Sequence, residues 1–303
     1  MKLPVDVERF RVRAGEALRL RARPTNLASL CKTKTAYRAL LAEYREEIGA
    51  LQGVLFADGR WSLLLIVQGM DAAGKDGAIK HVMSGVNPQG THVVAFGPPS
   101  DEELRHDFLW RALVRLPERG RIGIFNRSYY EEVLIARVEP SVLARQRLPP
   151  ELVDPEELWR QRYRDISCVE DYLTRNGTRI LKLYLHLSKE EQRRRLLARI
   201  DDPDKNWKLA PSDLESRRRW DAYQRAYEEA IAATSTEAAP WYVVPADDKR
   251  NARLIISKLV VEVLRDMPIR IPVASEAHLR ELEAVREELE AKPPTRGRKR
   301  SRR

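Results

Sequence analysis

The segment Gly69-Met-Asp-Ala-Ala-Gly74-Lys75 constrains this chain more than any other stretch of it. It follows the continuous apolar run Leu63 to Val67 and opens a stretch of helical periodicity from Lys75 to Gly85. An apolar run of that kind suits a strand covered on both faces of a parallel sheet. The pattern G-x-x-x-x-G-K between a strand and a helix is a phosphate-binding loop. Glycines let the backbone wrap closely around a phosphate chain with its amides turned inward. The helix N-terminus adds a partial positive charge and Lys75 a full one. In a chance glycine-rich turn that lysine would serve no purpose. Gly69, Ala72, Ala73, Gly74 and Asp76, with Lys80 further along the helix, are therefore the phosphate-binding candidates.

The same loop departs from the usual pattern. Asp76 stands where most such loops carry Ser or Thr, and Asp71 adds a second carboxylate. Hard cations prefer carboxylate oxygens or water, so Asp71 is the candidate ligand for Mg²⁺. Asp76 is either a second such group or a partner for the dipole of the helix it opens.

Further strands are expected at His92 to Phe96, Arg121 to Phe125, Thr178 to Leu187 and Trp241 to Val244. Helices are expected at Leu30 to Leu55, Asp101 to Leu116, Pro155 to Arg175, Lys189 to Ile200, Pro211 to Ala233 and Asp248 to Asp266. Strand and helix in alternation imply an α/β fold, with a central parallel sheet and helices on both faces. Residues 1–29 read as an irregular basic extension and 30–270 as one domain. Residues 271–303 read as a charged helix, Glu276 to Ala291, followed by a basic disordered tail.

A second motif, Asn126-Arg-Ser-Tyr-Tyr-Glu-Glu132, begins where the strand Arg121 to Phe125 ends. Ligands in open α/β sheets bind at the carboxyl ends of strands, so Arg127 should face the same phosphates as Lys75. A planar, always-charged guanidinium suits a transferring phosphoryl group. Asn126 and Glu131 are candidates to contact a nucleotide, although Glu131 also reads as a solvated helix residue beside Glu132. A third element spans about 189–220 and reads as a lid. Arg193, Arg194, Arg195 and Arg199 precede Asp201-Asp-Pro-Asp-Lys-Asn-Trp-Lys208 there, and Arg217-Arg-Arg-Trp-Asp221 follows. Consecutive arginines cannot all face one substrate, but Arg195 and Arg199 share a helix face at i and i+4.

The formal net charge of +10 invites a nucleic-acid reading. Seven of the cations lie between Lys292 and Arg303 with no acid among them, so the rest of the chain carries only +3. A solubilising tail accounts for most of the excess, and no specific nucleic acid is expected. No apolar run approaches the ~20 residues of a membrane helix and no signal-peptide pattern opens the chain, so a cytoplasmic location is expected. Cys31 and Cys168 form no disulfide or metal pattern. The oligomeric state is left open, a homo-oligomer included.

Taken together, Gln68 to Asp76, Gly85 to Gly90, Asp107 to Arg111, Phe125 to Tyr130, Trp207-Lys208, Arg219-Trp-Asp221 and Ala246 to Arg250 resemble the polyphosphate kinase 2 family. The resemblance implies a P-loop kinase fold like that of thymidylate kinases, with a helical lid. It implies Mg²⁺-dependent, reversible phosphoryl transfer between inorganic polyphosphate and nucleotides. Carried over by position, Asp71, Lys75 and Arg127 would be catalytic, and Arg199 and Lys208 the lid cations. Asn126, where most members have Asp, is similar to the class III branch, which accepts both AMP and ADP and so forms ADP and ATP. The rival reading is an ATP-dependent nucleotide kinase of the thymidylate kinase type. An assay with ATP and no polyphosphate separates the two.

Overall fold

The computed structural model describes residues 5–154, 156–204, 206–208 and 211–291, the side chain of 208 excepted. Its strands are β1 (Arg11–Val12), β2 (Ser62–Gln68), β3 (Thr91–Ala95), β4 (Ile122–Asn126), β5 (Thr178–His186) and β6 (Trp241–Pro245). The helices of the first half are α1 (Lys34–Asp58), α2 (Lys75–Val82), α3 (Trp110–Leu113), α4 (Glu131–Val138) and α5 (Pro140–Ala144). Those of the second half are α6 (Glu157–Arg175), α7 (Lys189–Ile200), α8 (Pro211–Arg218), α9 (Trp220–Thr234), α10 (Lys249–Asp266) and α11 (Glu276–Glu290).

Among the described residues the strands form one sheet in the order β1-β6-β5-β2-β4-β3. Every pairing is parallel except that of β1 with β6. The extension before α1, expected to be irregular, thus supplies an antiparallel edge strand. β2 lies inside the sheet and all seven of its residues are buried. Its side chains alternate between two layers, as strand geometry requires. Leu63, Leu65 and Val67 join the core beneath α1, α2 and α10, while Leu64 and Ile66 join the one beneath α4, α6 and α9.

Register aligns the strand ends. Val67 of β2 lies opposite Asn126 of β4, Gln68 opposite Tyr184 of β5, and His186 opposite Pro245 of β6. The loops leaving β2, β4, β5 and β6 therefore emerge side by side.

Two expected helices are divided. Across Asp101 to Leu116 only a 3-10 turn at Glu103–Arg105 and the four-residue α3 form; His106 between them is extended, and the Asp107 carboxylate accepts from the Leu109 N–H at 2.9 Å. A short polar side chain competing for backbone N–H groups in this way is a common helix stop. Across Pro211 to Ala233 the break is at Arg219, whose guanidinium donates to the Val138 carbonyl at 3.2 Å. Helix α5 was not expected, and within α4 the sequence marks only Glu131 and Glu132 as helical.

The described residues divide into two compact units, one ending at Arg270 and the other beginning at Ile271. The second contains α11, whose Leu279, Leu282, Val285 and Leu289 are exposed. The tail from Lys292 to Arg303 lies outside the described residues. No described helix is long and apolar enough to cross a membrane.

Candidate active site

The loop between β2 and α2 is a tight backbone cradle. A Cβ at Gly69 would lie 3.1 Å from the Leu185 carbonyl oxygen and from the Cβ atoms of Ala73 and Leu185, so any side chain there would force its neighbours to give by a few tenths of an ångström. Gly74 has a φ of 102°, a left-handed conformation that a side chain disfavours. The Lys75 ammonium is buried. It donates to the Gly69 carbonyl at 2.6 Å and the Met70 carbonyl at 3.3 Å. Burial, and then repulsion from Arg127, lowers its pKa to about 8.

Arg195 fixes this cradle from behind. Its guanidinium donates to the carbonyls of Ala72 at 3.0 Å and Ala73 at 2.9 Å, and to those of Ala246 at 2.6 Å and Asp247 at 2.9 Å. Glu191 accepts from its Nε at 2.7 Å. One side chain thus ties α7, the phosphate loop and the loop after β6 together. Arg199, one turn on, lines the cleft above the loop. The shared face expected for Arg195 and Arg199 exists and both line the cleft, but the Arg195 guanidinium is buried in its carbonyl contacts. Arg193 and Arg194 pair with Glu190 and Glu191 of their own helix.

The turn after β4 brings up the second motif. Arg127 has a φ of 64°, which costs about 1–2 kcal/mol for a residue with a side chain. Its N–H donates to the Val67 carbonyl at 3.0 Å. Its guanidinium donates to Asp71 Oδ1 at 2.9 Å and reaches Glu131 Oε2 at 3.5 Å. Glu131, then Asp71, holds the guanidinium above its ordinary pKa against the opposing effect of burial. Asn126 Nδ2 donates to Asp76 Oδ1 at 2.7 Å, so the Asp76 carboxylate has a partner of its own. Glu131 and Glu132 are both buried, which removes the solvated-helix reading of that pair.

Two cavities meet here. The larger, of about 850 Å³, is lined by the phosphate loop, Asn126, Arg127, Arg194, Arg199, Lys249 and Arg253, with Asp71, Asp76, Asp202 and Asp213 as its acids. The smaller, of about 320 Å³, is walled by Pro98, Pro99, Val142, Tyr223 and Tyr227, with Arg111, Arg145, Glu131, Glu132 and Glu139 as its charged groups. Asp71, Phe96, Arg127 and Asp213 line both.

Of the sequence-derived candidates, Asp71, Ala72, Ala73, Gly74, Lys75, Asp76, Asn126, Arg127 and Arg199 line the larger cavity. Gly69 and Glu131 line the smaller. Lys80 is exposed on α2 and lines neither. The Lys208 side chain lies outside the described residues. Sequence reasoning passed over Lys249 and Arg253, although Lys249 belongs to a motif that follows a strand's carboxyl end. It also passed over Tyr223 and Tyr227, which carry the ordinary periodicity of a core helix.

The sequence profile of the polyphosphate kinase 2 family matches residues 31–271. An ADP-polyphosphate phosphotransferase of Rhodopseudomonas palustris is 50% identical over 95% of this chain and 99% of its own length. An AMP/ADP-polyphosphate phosphotransferase of Meiothermus ruber is 42% identical over 88% of this chain and 96% of its own. The crystal structure of polyphosphate kinase 2 from Arthrobacter aurescens TC1 superposes with a TM-score of 0.82 at 40% identity, over 92% of this chain and 96% of that one.

Proposed function

We infer the reaction from two premises: the chain belongs to the polyphosphate kinase 2 family, and two cavities of unlike chemistry meet at Asp71 and Arg127. The chain is an enzyme that moves phosphoryl groups between inorganic polyphosphate and nucleotides. The meeting of the two cavities at Asp71 and Arg127 carries the assignment of places. A polyanion suits the larger cavity, where the cations of four elements surround an inward-facing loop. A base and ribose suit the smaller, which has apolar and tyrosine walls. The transferring phosphorus then sits at their junction.

In the forward direction an oxygen of the acceptor's terminal phosphate attacks the terminal phosphorus of polyphosphate. The bond from that phosphorus to its bridging oxygen breaks, and the shortened chain keeps the oxygen. Such a transfer asks a protein for alignment and charge neutralisation rather than covalent chemistry. Lys75 and Arg127 are suited to spread the charge that develops. Arg199, Lys249 and Arg253 are suited to hold the donor chain. Among the described residues no three His, Cys, Asp or Glu side chains gather into a preformed metal site. That arrangement fits Mg²⁺ held mainly by phosphate oxygens and water with one or two carboxylates. Asp71 and Asp76 are the residues that would hold it, and when bound it supplies further neutralisation of phosphate charge.

AMP and ADP are the acceptors we propose. Asn126 leaves the junction with one carboxylate fewer than an aspartate would, which favours the closer approach of an AMP phosphate. A second reading, ADP alone, is favoured by the Rhodopseudomonas relative, which is named for ADP only. The test is to mix the protein with Mg²⁺, long-chain polyphosphate and either AMP or ADP, and to measure ADP and ATP. Products from both acceptors are expected. Product from ADP alone supports the second reading, and polyphosphate left intact with every nucleotide refutes the assignment.

A further inference from the structure

Beneath the turn that carries Arg127 lies a buried ion pair for which the transfer has no direct use. Lys182, in the middle of β5, and Glu170, on α6, are both fully buried. Lys182 Nζ is 2.5 Å from Glu170 Oε2 and donates to the Thr234 carbonyl at 2.7 Å. The other oxygen of Glu170 accepts from two hydroxyls, Tyr129 at 2.8 Å and Tyr130 at 2.9 Å. Lys182 also donates to the Tyr130 oxygen at 3.1 Å. Burial and the carboxylate keep both tyrosines protonated as donors.

The placement of these tyrosines is the informative point. They follow Arg127 and Ser128 directly and precede Glu131, the second carboxylate on the Arg127 guanidinium. Ser128 is buried too, accepting from the Tyr130 N–H at 3.1 Å and from Gln68 Nε2 at 3.3 Å. Side chains of the turn therefore divide. Asn126, Arg127 and Glu131 line the cavities, while Ser128, Tyr129 and Tyr130 point into the core, and the last two end on one carboxylate oxygen.

A buried ion pair is a weak source of stability, since apolar residues of similar volume often replace one without loss. What it supplies here is direction. A single oxygen of a carboxylate whose other oxygen is held by Lys182 sets where two adjacent tyrosines end, and so sets the path of a turn whose Arg127 holds a strained left-handed backbone. We propose that Glu170 and Lys182 are positioning residues for phosphoryl transfer, acting through Tyr129 and Tyr130 to aim Arg127 at the junction of the two cavities. The proposal rests on the reading that Arg127 acts on the transferring phosphoryl group.

The test uses the double variant Tyr129→Phe/Tyr130→Phe, which removes both hydroxyls, keeps the rings and leaves Glu170 paired with Lys182 through its other oxygen. A second route, Glu170→Leu/Lys182→Met, removes both charges together. Turnover and KM are measured well below each variant's melting temperature, alone and combined with Arg127→Ala. Displacing a positioned group by about an ångström can cost up to ~100-fold in rate. We therefore expect kcat to fall roughly tenfold with KM for nucleotide and polyphosphate near wild type. We also expect no further fall when Arg127 is already alanine. A purely structural network would lower the melting temperature, leave kcat of the folded fraction unchanged, and give effects that multiply with Arg127→Ala. Wild-type kcat in a folded Tyr129→Phe/Tyr130→Phe protein overturns the proposal, as does a multiplicative effect. If that variant does not fold, the same criteria apply to the second. Arg127→Ala turning over like wild type would refute the role of Arg127 and this inference with it. Loss with Arg127→Ala but not with the tyrosine variant would refute this inference alone.

Discussion

Lys75→Met should change how stability depends on pH, in a direction set by the burial of that ammonium. Burial, and then the nearby Arg127, lowers the Lys75 pKa from its ordinary 10.5 to about 8. In the unfolded chain the lysine returns to its ordinary value. Below about 8 both states hold the proton, and the cost of burying the charge is constant. Between about 8 and 10.5 the folded state releases the proton while the unfolded state keeps it, so stability rises with pH. At 1.36 kcal/mol per pH unit, raising the pH from about 7 to about 9.5 should stabilise the wild type by ~2 kcal/mol relative to Lys75→Met. Tyrosines and cysteines that titrate in this range do so in both proteins and cancel in the difference. The measurement is urea unfolding followed by tryptophan fluorescence at the two pH values. A wild-type minus variant difference that stays flat, or falls, would refute the reasoning. Tripolyphosphate offers Lys75 an anion and should suppress the rise. Turnover of Lys75→Met should fall ~10²–10³-fold at either pH, as for loss of one donor to developing charge.

Three further outcomes are expected. Asn126→Asp would set a second carboxylate against Asp76 across what is now a 2.7 Å contact; it should lower kcat/KM for AMP more than for ADP, and an unchanged ratio would remove Asn126 from acceptor choice. Arg195→Met should free the carbonyls of Ala72 and Ala73 and raise the KM for polyphosphate by about tenfold or more, since buried hydrogen bonds to a charged group are worth about 1.5–3 kcal/mol each; steady-state kinetics at fixed ADP would show it. Deleting Lys292 to Arg303 should leave kcat on a short polyphosphate unchanged, and a fall would assign the tail to the site.

The centre of the sheet and the phosphate loop were legible because local signals agree there: a fully apolar strand, two glycines under constraint, and a lysine at the head of a helix. The extent and burial of helix α4 were not legible, because Glu131, Glu132, Val133, Leu134 and Ala136 are all buried and a helix covered on most sides loses its amphipathic period. β1 is two residues long, too short for any pattern. The division of labour between Arg195 and Arg199 could be narrowed by helical spacing to one face, but burial separates them and burial is not written in spacing. Lys182 lies in plain view within an apolar strand. Its partner Glu170 is on the preceding helix, and only the fold shows that the two meet under the tyrosines.

The Arg195 tie has a consequence for the time course of donor capture. Four carbonyls from two loops are held by one buried side chain. The amides on the far side of those peptides are thereby oriented before any collision, and planar peptide units leave them little freedom to swing away. Encounter with a polyanion then meets a finished receptor, without a slow isomerisation of the loop between collision and capture. Stopped-flow mixing with tripolyphosphate should accordingly show one phase whose rate rises linearly with concentration and falls with added salt, the behaviour of a charge-steered encounter.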